Sequence, residues 1–202
     1  MNALRVTLDR LVFLDETSKD MRDAIRKYGW GPKNIALVVM GFFGRGDRVS
    51  VLAFQRVTGI KAIYGTPGTF RSDDFTRHVL DYLDRTPPPP NSCLVMDGAS
   101  IHHQQELCDG IKARGHNYVF LPAYCPNANP VEFVFQDLKH ELQYGGDIHT
   151  TSVLGYTKTF NIVKSAFLRY QYHDYSALFS KCGFHLDGSY SVPHDVMKAD
   201  IQ

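Results

Sequence analysis

The chain has 202 residues, 44% of them apolar and 21% charged, a composition that suits one sizeable packed core and excludes disordered and fibrous classes. No apolar run approaches a membrane span and no leader-like apolar segment is visible, so the expected location is nuclear in a eukaryotic cell and cytoplasmic otherwise, not secreted. A formal net charge of only +1 argues against a protein that grips duplex DNA unaided through a basic surface.

In chain order, residues 3–8 and 11–14 (LVFL) are strand-like, the second run leading into Asp15. Residues 22–33 are basic, with Tyr28 and Trp30 interleaved. Arg26, Lys27, Trp30 and Lys33 are therefore DNA-binding candidates, Trp30 by stacking on a base. The other reading of Trp30 is a plug in the core. Runs at 35–43, 48–55 and 59–65, separated by turn residues, predict an antiparallel meander, with Arg45-Gly46-Asp47 as a hairpin turn. Ser72 is expected to cap a helix with Asp73 and Asp74 in its first turn and an apolar face of Phe75, Val79, Tyr82 and Leu83. Prolines 87–90 end it.

Leu94-Val95-Met96 reads as a short buried strand stopped by Asp97-Gly98, which places Asp97 at the carboxyl edge of a sheet, where open α/β sheets hold their ligands. A helix near 104–114 should stop at Gly115, and HNYVFLP makes another strand. Asn129-Pro130 reads as a helix cap followed by proline at the first helical position, with Val131, Phe135, Leu138 and Leu142 as the buried stripe. Glu132 falls in the first turn of that helix, and Lys139 lies further along it as another DNA-binding candidate. A last long helix is expected within 150–170, carrying Lys158, Lys164 and Arg169 outside, followed by a short helix.

Each acid has an ordinary explanation. Glu132, three residues after Asn129, could complete a capping box, and Asp97 could be a turn aspartate. Taken with Asp15, however, they form an all-oxygen set suited to Mg²⁺ or Mn²⁺ rather than zinc. Adjacent strand residues face opposite ways, so Asp15 and Glu16 cannot both point into one site. Cysteines 93, 108, 125 and 182 show no CxxC pair and are expected to be reduced, and His102, His103 and Cys108 match no structural zinc spacing. Strands first as a meander, then alternating with helices, give an α/β domain with a mixed sheet.

The segments DGASIHH from Asp97 and LPAYCPNANPVE ending at Glu132 resemble the second and third acid motifs of the mariner superfamily of DDE transposases, and LVFLDETSKD resembles the first. The two later acids are separated by the 34 residues 98–131, a spacing that the family shares. Departures from the family pattern are Gly98 for Asn, Ala123 for Pro, Cys125 for Ser, Asn127 for Asp and Ala128 for Leu.

The resemblance implies an RNase H-like fold, a mixed five-stranded sheet flanked by helices. It also implies one catalytic domain over residues 1–202, with a core at about 5–145 and a helical extension at 150–181. Asp15, Asp97 and Glu132 would hold two Mg²⁺ (or Mn²⁺) for DNA cleavage and strand transfer, Asp15 bridging the pair. His102, His103 and Asn129 would border the acids and touch a carboxylate or a phosphate. Partners would be transposon-end and target DNA, a homo-oligomer on that DNA, and a separate DNA-recognition domain, since family members usually begin with helix-turn-helix modules. Alternatives are an RNase H-like nuclease that stops at hydrolysis and a domesticated, non-catalytic binding module.

Overall fold

A computed structural model describes residues 6–19, 30–36, 48–122, 125–144 and 155–191. Its centre is a sheet of β1 (Leu11–Lys19), β2 (Val49–Arg56), β3 (Gly59–Pro67), β4 (Cys93–Met96) and β5 (Asn117–Phe120), in the order β3-β2-β1-β4-β5. The β1–β2 and β2–β3 pairs are antiparallel and the β1–β4 and β4–β5 pairs parallel, so the sheet is mixed and five-stranded as expected. The strand expected at 35–43 falls, from residue 37 on, outside the described residues, as do residues 3–5 and the Arg45-Gly46-Asp47 turn.

Alternation along the central strands builds two cores. Leu11 and Phe13 of β1, Val51 and Ala53 of β2 and Val95 of β4 face one side. There they meet α3 (Pro130–Tyr144) through Val131, Val134, Phe135 and Leu138, and α4 (Tyr156–Leu168) through Val163, Ala166 and Phe167. Val12, Leu14, Leu52, Phe54, Leu94 and Met96 face the other side, against α1 (Ser72–Arg85) and α2 (Gln105–Ala113). Because both faces are covered, β2 and β4 read as nearly unbroken apolar runs rather than alternating ones.

The helices follow their apolar stripes. Phe75, Val79, Tyr82 and Leu83 are all buried on α1, as their spacing predicts. Ser72, however, is the first helical residue: the cap is Arg71, whose extended backbone starts the helix without a side-chain hydrogen bond. The guanidinium of Arg114 forks onto both oxygens of Asp84, at 2.7 and 2.8 Å, tying the end of α2 to α1, and Gly115 takes the left-handed turn (φ 76°) that ends the helix.

The C-terminal part is stitched to the sheet through backbone. Ile60 N–H donates to the Tyr170 carbonyl at 2.9 Å and Tyr175 N–H to the Val57 carbonyl at 2.8 Å, on either side of Gly59. Gly59 has φ 121°, and a Cβ there would collide with the Gln171 carbonyl, so this close approach requires glycine. The short helix α5 (Ser176–Lys181) then sets Phe179 edge-on against Phe13 of β1, with ring centroids 4.8 Å apart.

Candidate active site

Register decides which acids meet. In the parallel β1–β4 pair, Phe13 lies beside Val95. Two residues further along each chain stand Asp15, on the Phe13 face because side chains repeat every second residue along β1, and Asp97, just past the end of β4. The expectation that Asp15 ends its strand is corrected: β1 runs on to Lys19, paired with β2 throughout, while β4 stops at Met96. Asp15 thus stands within a strand, past the point where β4 has ended, on the floor of an open edge.

Glu132 reaches the same place from α3. Its N–H bonds the Asn129 carbonyl at 3.2 Å, and its carboxyl shares a hydrogen bond with Asp15. Asn129 does not cap the helix as the sequence suggests. Its side-chain amide donates to Asp15 Oδ2 at 2.8 Å, and its Oδ1 is buried with no hydrogen-bond partner, so neither the cap nor a capping box with Glu132 forms. Tertiary demand has overridden a local preference: holding a buried carboxylate outweighs satisfying one helix-end amide.

The electrostatics are one-sided. Burial, then the negative charges of Glu132, Asp97 and Glu16, push the Asp15 carboxyl well above the usual carboxylate range; the Glu16 N–H, 2.7 Å from Oδ1, pulls the other way. Among the described residues, the side chains whose charge reaches Asp15, those of Glu132, Asp97 and Glu16, are all acidic. Glu132 is likewise raised, by burial first and then by Asp97, with its hydrogen bond to Asp15 opposing.

Asp97 is treated differently. Its Oδ1 accepts from the Ala99 N–H at 3.0 Å and from His102 Nδ1 at 2.6 Å, and the histidine hydrogen bond holds its carboxyl below the usual range. His102 is fully buried, its ring stacked on Phe75 at 4.3 Å, and its Nε2 donates to Glu16 at 3.0 Å. Burial works against a charge there, but the bonds to Asp97 and Glu16 outweigh it and hold His102 up to about 10. Glu16 therefore lies across the sheet from Asp15, as alternation requires, yet it belongs to this edge through His102.

The other expected residues divide. The His103 ring lies against Phe120 at 4.1 Å, and its charge acts on Asp97. Trp30 is fully exposed, which overturns the core-plug reading, and Lys33 and Lys139 are exposed too. Arg26 and Lys27 lie outside the described residues. Cysteines 93, 108, 125 and 182 are free. The pairing of Glu16 with His102 went unseen in the sequence; the signal was the parity of the Asp15-Glu16 doublet, which puts its second acid opposite the first.

The description "DDE superfamily endonuclease" matches residues 10–154. The chain belongs to that family. This DDE endonuclease superposes on the mariner Mos1 transposase in its paired-end complex with Mg at a TM-score of 0.72, with 15% identity over 92% of this chain and 58% of that one. Against the Mos1 strand transfer complex the TM-score is 0.69, with 16% identity over 87% and 52%. Against the isolated Mos1 catalytic domain it is 0.61, with 15% identity over 91% and 85%. At such identities the likeness shows the fold, the RNase H-like one. This chain spans little more than half of the transposase chains in the DNA complexes it matches, 53% and 56% in two of them. No curated protein sequence matches it.

Among the described residues no three His, Cys, Asp or Glu side chains are already gathered as a metal-binding group. The donor chemistry nevertheless fits a hard cation. Asp15 and Glu132 are oxygen donors with surplus negative charge, Asn129 Oδ1 is a further orphaned oxygen beside them, and no described residue donates to Asp97 Oδ2.

Proposed function

We propose that this DDE endonuclease cuts DNA and joins the freed 3′ end to target DNA, with Asp15, Asp97 and Glu132 holding two Mg²⁺ or Mn²⁺ ions. The observation that carries the reading is the buried Asp15, whose charged neighbours among the described residues, Glu132, Asp97 and Glu16, are all acidic, an arrangement that raises the energy of the ionised chain unless a cation enters. When bound, such ions activate water for in-line attack on a phosphodiester and stabilise the leaving 3′ oxygen.

The chain's own part is positional. Asp15 is flanked by Asp97, just past the end of β4, and by Glu132 of α3, and the three together would hold the ions. Asn129 fixes Oδ2 of Asp15 through its amide, and an entering cation would favour the ionised forms of Asp15 and Glu132, whose proton affinities are raised without it. The mariner-superfamily motifs around Asp97 and Glu132 support transposon ends and target as the DNA partners. The Mos1 structures solved as paired-end complexes support an oligomer on DNA. A separate DNA-recognition domain and a nuclear location in a eukaryotic host belong to the same proposal.

The test is nicking and strand joining of a transposon-end duplex with Mn²⁺, comparing the parent with Glu132→Gln and Asp97→Ala. Both variants are expected to lose both products. A Glu132→Gln chain that cuts and joins like the parent refutes the reading, and a parent that cuts but never joins reduces it to hydrolysis.

A further inference from the structure

Glu16 lies outside the proposed ligand set, yet it is partly buried, with 17% of its side chain exposed, and both of its oxygens lie within reach of one ring nitrogen, 3.0 and 3.3 Å from His102 Nε2. The ring between Glu16 and Asp97 has no freedom left. Phe75 stacks on its face, Asp97 Oδ1 takes Nδ1 at 2.6 Å with the Asp97 carbonyl at 3.2 Å, and no part of the side chain reaches solvent. Were Glu16 absent, Nε2 would be a buried donor without a partner, and the ring would have to turn or tilt to find one. Any such turn moves Nδ1 off Asp97.

We propose that Glu16 is a positioning residue: acting across the sheet through His102, it commits Oδ1 of Asp97 to the protein and so leaves Oδ2 free for a divalent ion. The inference rests on the metal reading above. It gives the two adjacent acids of β1 separate tasks, Asp15 as ligand on one face and Glu16 as the anchor of another ligand from the opposite face. Partners behind a metal ligand are worth about 10- to 100-fold in metal affinity when removed.

The test measures Mn²⁺ affinity of the whole chain by calorimetry, together with the nitrogen-bound proton of His102 Nε2 by NMR. Glu16→Ala should bind Mn²⁺ about 10- to 100-fold more weakly and lose the Nε2 proton signal to exchange with water. Glu16→Gln, whose side-chain oxygen can still accept from Nε2, should keep the signal and recover most of the affinity. Parent-like affinity in a folded Glu16→Ala chain overturns the proposal, as does a folded Gln variant no better than Ala. If Ala does not fold, Glu16→Leu takes its place, keeping bulk without an acceptor. Failure of both to fold assigns Glu16 a structural role and also overturns the proposal. A parent chain that binds no Mn²⁺ removes the metal reading and this one together, whereas a binding parent with an indifferent Glu16 removes only this one.

Discussion

Two faces of the same sheet edge handle negative charge in opposite ways. On the α1 side, Glu16 and Asp97 are neutralised by a histidine that the protein itself supplies, sealed from water by Phe75. On the α3 side, among the described residues, Asp15 and Glu132 meet further acidic side chains, and the donors to Asp15 are the Asn129 amide and the Glu16 N–H. The first arrangement is complete within the fold and holds a geometry. The second is incomplete within the fold, and an incomplete charge set is where a ligand adds free energy. The contrast separates Glu16, which supports, from Asp15 and Glu132, which are left to bind, with Asp97 joining the two sides because only its Oδ1 is taken by the histidine; residue type alone does not make that distinction.

The largest effect should come from the α3 side. Glu132→Gln keeps the shape of the site but removes charge, and cleavage in Mg²⁺ is expected to fall roughly a thousand-fold or more, the equivalent of about 4 kcal/mol of transition-state stabilisation. Single-turnover nicking measures it. Next, His102→Ala dismantles the α1 side, leaving Glu16 unpaired. A loss of about 1–3 kcal/mol in urea unfolding is expected, because both acids can partly rehydrate. A cost near zero would break the comparison.

Asp15→Asn should do the reverse and stabilise the metal-free chain, raising Tm by on the order of 2–6 °C. The sign follows from its raised proton affinity. The folded state binds a proton at Asp15 that the unfolded chain releases near pH 4, so stability from this group is present at low pH and is lost as pH rises above about 4. His102, held up to about 10, keeps its contribution fully below about pH 6.5 and loses it progressively from there to about pH 10. Melting curves should therefore slope downward from pH 5 to 8 in the metal-free parent and less steeply in Asp15→Asn, the difference being clearest between pH 5 and 6.5 where His102 contributes no slope, and Mn²⁺ should raise Tm more at pH 8 than at pH 5. The smallest effect belongs to Trp30. It is fully exposed, so Trp30→Ala should leave Tm within about 1 °C, and any loss would appear in DNA affinity measured by gel shift.

The strands and helices that carry the acids were legible because periodicity is a local property: the stripe of α3 and the apolar run of β4 stand where their spacing puts them. Asp97 and Glu132 were readable from motif and separation. What the sequence could not show was register. The bond between Glu16 and His102 joins residues 86 apart and exists only because β1 runs on to Lys19 after β4 has ended at Met96. Asn129 misled for the same reason. Its preference for capping is a property of a few neighbouring residues, and Asp15 lies 114 residues away.

The stitching of Tyr170 and Tyr175 onto the β2–β3 turn bears on where the molecule can be shortened. The segment that matches the endonuclease description stops at residue 154, yet Val163, Ala166, Phe167 and Phe179 lie beyond it in the same apolar layer as Phe13 and Phe135. A chain trimmed to the matched segment would retain all three acids while baring a sheet of phenylalanine and valine to water. Such a fragment should aggregate rather than bind metal.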